Sequence, residues 1–179
     1  MDKHRRIVIT GIGVISSLGN DLASFSRHYL QGKLPEIQER TVVFLETAYL
    51  QKIMALPSWE DKSVPSAHRR RMSLLSRMIA VTAMQCLENA NLEKEKWAQL
   101  GLVIGTGWGE QETVHKVIPQ VILEESEMVP FPTLFHNSVH NASAGYLGMI
   151  LQSQGPAITV SQEERSEERR VGKECRSRW

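Results

Sequence analysis

The sequence predicts an α/β layered fold. Short β-branched runs alternate with longer segments of helical period, and glycine-rich turns close two of those runs. Apolar residues make up 41% of the 179 residues and charged residues 23%, enough apolar surface for a buried core of about one domain. The first run, Arg6-Ile7-Val8-Ile9-Thr10, reads as a buried strand passing into the turn Gly11-Ile12-Gly13-Val14. Asn20 or Asp21 then caps a helix running to about Gln31 and closed by Gly32. Residues 33–67 are the least regular, with a candidate strand over Thr41 to Leu45 and a short helix over Ala48 to Leu56, before Pro57. Met72, Leu75, Ile79, Met84 and Leu87 recur at mostly three and four residues, which predicts the clearest helix, from about Ser66 to Asn91. Leu100 to Ile104 is another strand, ending in Gly105-Thr106-Gly107-Trp108-Gly109. A helix from about Glu110 to Glu125, interrupted by Pro119, follows, and Pro130 and Pro132 make an extended stretch. Ser138 to Gln152 is rich in small residues and helical in pattern, and Gly155-Pro156 turns the chain into the strand Ala157 to Ser161.

Composition excludes several classes of function. Twenty-one basic residues against twenty acidic ones give a net charge of +1, with no overall push toward nucleic acid or an anionic membrane. No apolar run approaches the roughly 18 residues that cross a bilayer. Residues 1–6 lead into an apolar run without a signal peptide's long core or cleavage site, so a cytoplasmic location is expected. The two cysteines, Cys86 and Cys175, make neither a disulfide framework nor a zinc cluster.

Four motifs invite chemistry, and each has a plainer explanation. Gly11-x-Gly13 after a first strand suggests a dinucleotide turn, but Ser16 stands where the third glycine belongs, so a structural turn is expected. A nucleotide-binding regulatory module is the rival from another class. Gly105 to Gly109 lacks the same spacing and reads as a tight turn. His68-Arg69-Arg70-Arg71 sits near a helix N-terminus, a poor place for positive charge, and reads as a solvated turn or a partner-facing patch. His136, Asn137, His140 and Asn141 form the richest polar cluster. His136 and His140, four apart, share a face if helical, yet no third metal ligand is spaced nearby. A buried polar network is expected there, with Asn and Ser capping a helix whose Ala142, Ala144 and Gly145 allow close packing. Cys86 lies near the apolar side of the long helix and reads as an inert small hydrophobe.

Taken in order, these segments resemble the N-terminal part of a β-ketoacyl synthase, a condensing enzyme of the thiolase-like fold. The residues that carry the resemblance are Arg6 to Gly19, Arg70-Arg71-Met72, Cys86 to Leu92, Gly101 to Gly107, Asn141 to Gly145 and Gly155 to Ser161. The string from Ser138 to Gly145 is most similar to synthase-like proteins found with aryl-polyene and related lipid pathways. The resemblance implies the N-terminal half of a layered fold, with a mixed sheet and packed helices. It implies acyl carrier protein as substrate carrier, and a homodimer or a heterodimer with an active ketosynthase. It implies no cofactor, no nucleic acid and no membrane insertion.

In that family a strand after Gly-Pro leads to a turn bearing a cysteine nucleophile eight residues beyond the proline. Counting from Pro156 lands on Glu164, and a carboxylate cannot form the thioester through a low-pKa thiolate. The family's catalytic histidines and lysine belong to a C-terminal half, and His136 and His140 do not match them. Two expectations follow: a non-catalytic partner resembling a chain-length factor, or a truncated piece of an active condensing enzyme. Without a second half, an exposed apolar patch and poor solubility are expected. His136, Asn137, His140 and Asn141 are then expected beside an interface or an acyl pocket.

The charge pattern breaks near residue 164. Residues 165–179 carry six basic and three acidic side chains and one aliphatic residue, Val171, with no period that buries a face. The string resembles a translated sequencing adapter, which confines the native domain to residues 1–164. A solvated basic tail and a nucleic-acid arm are the alternatives.

Overall fold

The computed structural model describes residues 7–44, 47–122 and 132–161. Glu164, Cys175, the 165–179 string, Pro130 and the last three residues of the helix expected over 110–125 lie outside them. Helix α1 spans Leu22–Leu30, and the Asp21 carboxylate caps it by accepting the Ser24 N–H at 2.7 Å. That bond holds the Asp21 carboxyl below the usual carboxylate range.

Strands β1 (Ile37–Phe44) and β2 (Thr47–Met54) pair antiparallel, with Ile37 opposite Met54 and Phe44 opposite Thr47. This corrects the short helix expected over residues 48–56. Ala48, Leu50, Gln51, Lys52 and Met54 favour helix one at a time, but β1 offers a full ladder of hydrogen bonds, and pairing overrides weak propensity. The strand expected over residues 6–10 is also corrected. Residues 7–10 belong to no helix or strand and have no ladder partner among the described residues, and Ile7 is 99% exposed. β-branched composition alone does not make a strand.

The long helix expected over residues 66–91 is two helices, α2 (Ser66–Arg69) and α3 (Leu74–Asn89). Ser73 restarts the backbone: its hydroxyl accepts the Ser76 N–H at 3.0 Å, as an N-cap does. A 3₁₀ helix over Lys94–Gln99, not anticipated, leads into β3 (Leu102–Thr106). Helix α4 (Gln111–Ile122) runs on through Pro119 instead of breaking there. Pro132 opens helix α5 (Pro132–Asn137), where an extended stretch was expected; proline suits a first helical position because that N–H has no helical partner. Helix α6 (Ala142–Leu151) starts later than expected, and β4 (Ala157–Ser161) follows as read. β4 lies parallel to β3, with Leu102 opposite Ala157 and Thr106 opposite Ser161, so α4, α5 and α6 form the crossover.

The core sits where α3 meets α6. Val64, Met72, Ala80, Val81 and Tyr146 form one cluster, and Leu102, Leu147 and Leu151 form a second beneath β3. Ala80 is 0% exposed, so its methyl group already fills its site. Ala80→Leu is expected to cost about 2 kcal/mol by forcing neighbouring side chains off their rotamers. Chemical denaturation should show a lower midpoint with little change in slope. Among the described residues no helix is long and apolar enough to cross a membrane.

Candidate functional site

In open α/β sheets, ligands gather at the carboxyl ends of parallel strands. Here β3 ends at Thr106 and β4 at Ser161, side by side. The turn after β3 is closed by the Gly109 N–H, which donates to the Thr106 hydroxyl at 2.9 Å. Gly109 has φ +62°, and a side chain there would run into the His140 imidazole. His140 therefore sits against a bare backbone, with Nδ1 3.4 Å from the Ser161 hydroxyl. Trp108, on the same turn, is exposed.

Behind this turn lies Glu110, a carboxylate only 4% exposed. Its Oε1 accepts from the hydroxyls of Ser73 at 2.7 Å, Ser76 at 2.9 Å and Ser143 at 3.2 Å. The Ser76 and Ser143 hydroxyls are also 2.9 Å apart. Two helices thus meet on one carboxylate: α3 through its N-cap and first turn, and α6 through its first turn. An anion at the start of α3 complements the helix dipole. The main-chain oxygen of Glu110 accepts the N–H groups of Thr113 and Val114, each at 2.9 Å, and so starts α4.

The polar cluster read from the sequence divides. α5 ends at Asn137 and α6 begins at Ala142, so His136 and His140 do not share a helical face; a turn, with the Ala142 N–H on the Val139 oxygen at 3.1 Å, separates them. His140 joins the strand ends. His136 and Asn137 join Tyr146 instead: Asn137 Nδ2 donates to the Arg71 carbonyl at 2.6 Å, the Tyr146 hydroxyl donates to the same oxygen at 2.9 Å, and His136 stands edge-on to the Tyr146 ring. Burial holds the Tyr146 phenol above its ordinary pKa. Asn141 occupies the N-cap of α6 but makes no side-chain cap bond, because its ψ of 1° is not the extended one a cap requires.

The family described as beta-ketoacyl synthase, N-terminal domain, matches residues 4–163. The chain belongs to the beta-ketoacyl synthase family. It is 27% identical over 161 residues to the 3-oxoacyl-[acyl-carrier-protein] synthase 2 of Vibrio cholerae serotype O1, covering 88% of this chain and 38% of that protein. It superposes on a beta-ketoacyl synthase from Burkholderia phymatum with a TM-score of 0.74 at 16% identity, over 92% of this chain and 41% of that one. The ketosynthase ApeO in complex with its chain length factor ApeC, from Xenorhabdus doucetiae, gives a TM-score of 0.62 at 17% identity, over 92% and 58%. The chain spans less than two fifths of the length of the curated relatives it matches. Its α/β fold is that of the N-terminal domain of thiolase-like ketosynthases.

Within this beta-ketoacyl synthase domain the Gly11-x-Gly13 turn lies on α3. A side chain at Gly13 would strike the Thr82 carbonyl. The Ile12 N–H donates to Asn89 Oδ1 at 3.0 Å and the Val14 N–H to Gln85 Oε1 at 2.9 Å, so these amides are committed to helix side chains and not turned toward a phosphate. Cys86 is half-buried and its thiol donates to the Gly11 carbonyl at 3.2 Å. Arg69 of the basic run and Arg77 of α3 both bridge to Asp61, at 3.0 and 2.9 Å. Arg70 and Arg71 line a groove of about 540 Å³ with Arg77, Glu112 and Lys116. Among the described residues no group of three His, Cys, Asp or Glu side chains is placed to hold a metal ion.

Sequence reasoning missed Glu110, Ser73 and Ser76. The signal was Ser76 itself, a polar residue four from Met72 and four from Ala80 on the buried stripe of a helix. Such a residue demands a polar partner from another element.

Proposed function

We propose that this chain is the N-terminal part of a non-catalytic, chain-length-factor-like subunit. It pairs with an active ketosynthase that extends acyl groups carried on acyl carrier protein, in fatty-acid or polyketide synthesis of the aryl-polyene kind, in the cytoplasm. The observation that carries this reading is the residue eight beyond Pro156, which is Glu164 where the family places its thiol. A carboxylate forms no thioester, so this subunit takes up no acyl chain by itself. β4 runs to Ser161, so the carboxyl edge that holds His140 and the Gly109 turn stands just before that position. His140, which lies at that edge, is assigned to the surroundings of the shared acyl pocket, which it shapes without reacting; His136 and Asn137 hold the packing around Tyr146 behind it, and Asn141 the start of α6.

Similarity to the ApeO–ApeC pair and to the ishigamide ketosynthase/chain length factor supports the domain on which this reading rests. Residues 165–179, which lie beyond the family match, are read as a non-native string; genomic sequence across the Glu164 codon tests that directly. Function is tested by incubating the full-length parent with radiolabelled acyl carrier protein thioester. No label should remain on the protein alone after denaturation, and label should appear on the partner when both are present. A stable acyl-enzyme formed by the parent alone overturns the proposal and leaves a truncated active synthase.

A further inference from the structure

We infer that Glu110 is a positioning residue for His140, acting through Gly109. The inference rests on taking the carboxyl edge of β3 and β4 as the functional edge. The serine clamp fixes Glu110 from three directions, with all three hydroxyls directed at Oε1. Gly109 is its immediate neighbour, and the Glu110 main chain is itself tied to the start of α4 through the Thr113 and Val114 N–H groups. Gly109 in turn forms the wall against which the His140 imidazole lies, and the Thr106 hydroxyl holds the other side of the turn. The imidazole then meets Ser161 at the end of β4. Interior polar atoms thus decide where an exposed imidazole stands.

A buried carboxylate that only filled space would be replaced by a neutral group of the same shape without consequence at the surface. Glu110→Gln is such a group. It keeps the length and replaces one carboxylate oxygen, an acceptor, by an NH2 group, a donor that the native residue does not offer. The Gly109 turn is released and the His140 ring swings free of Ser161.

The experiment is diethylpyrocarbonate labelling of the full chain, read by peptide mass spectrometry as a rate at each histidine. His140 should label about fivefold faster in Glu110→Gln, the ratio that loss of one ordinary hydrogen bond gives. His28, whose Nδ1 lies 2.6 Å from the Leu18 carbonyl on the far side of the chain sequence, is the internal standard and should not change. Ser73→Ala should raise the His140 rate by a smaller factor, and Ser73→Thr, which restores the hydroxyl, should return it to the native rate. An unchanged His140 rate in folded Glu110→Gln overturns the inference. Should Glu110→Gln raise both histidines equally, Ser73→Ala decides: a rise at His140 alone supports the inference, and an equal rise or none overturns it. The labelling needs neither partner subunit nor acyl substrate, so its failure is distinct from failure of the chain-length-factor reading.

Discussion

Replacing Tyr146 with alanine is expected to destabilise the fold by about 4 kcal/mol, the usual cost of deleting a buried aromatic ring. Tyr146 is 4% exposed and belongs to the cluster of Val64, Met72, Ala80 and Val81. Its hydroxyl also holds the Arg71 carbonyl at the break between α2 and α3. For a domain of this size the melting temperature should fall by roughly 12 °C. Tyr146→Phe keeps the ring and loses only the hydroxyl. It is expected to cost about 1 kcal/mol, since the Arg71 oxygen keeps its bond from Asn137. The pair separates packing from hydrogen bonding.

The same residue sets a pH dependence. Burial raises the phenol's pKa in the folded state, so the folded chain holds that proton more tightly than the unfolded chain does. Its contribution is complete below about pH 10 and is lost as the pH climbs through the folded value. Melting curves of the native chain should therefore fall more steeply above about pH 10 than those of Tyr146→Phe. Identical alkaline slopes in the two proteins would show that the phenol is hydrated in the fold.

Gly13→Val is expected to be nearly as damaging, at about 3 kcal/mol and roughly 9 °C. An added Cβ meets the Thr82 carbonyl oxygen and also comes to 2.9 Å from the Cys86 nitrogen and 3.0 Å from the Gln85 Cβ. Two of these contacts are helix backbone, which cannot rotate away as a side-chain tip does. The segment must lift off α3, and the bonds from Ile12 to Asn89 and from Val14 to Gln85 go with it. Gly145→Ala is the control. Nothing lies within 4 Å of its added Cβ, and alanine in a helix is expected to stabilise by about 0.5 kcal/mol. Differential scanning calorimetry of the two variants should move in opposite directions.

These contrasts show why parts of the fold were readable and others were not. α1, β3 and β4 were legible because each carries its own punctuation: Asp21 as a cap, and glycine-rich turns after or before a β-branched run. The β1–β2 hairpin was not, because the residues of β2 prefer helix locally and only the partner strand decides the matter. The break at Ser73 was hidden by apolar spacing that continues smoothly through both helices, although the cap residue stood in plain view. Family membership was legible from the ordered set of motifs, since glycines and short polar strings mark positions where backbone approaches backbone. The site was legible only in part. His140 could be named from its neighbours, but Glu110 and its serines come from positions far apart in the chain, and no local pattern joins them.

The pairing of β3 with β4 also sets an order of events during synthesis. The hairpin closes on itself as soon as residue 54 emerges, a local event of microseconds. Leu102 must wait for Ala157, and at about 10 residues per second the ribosome takes several seconds to deliver it. Through that interval Leu102, Val103 and Ile104 present an unzipped apolar edge, open to any neighbouring nascent strand. Chaperone binding to this protein should accordingly concentrate on residues 102–106 and weaken once residue 161 clears the exit tunnel.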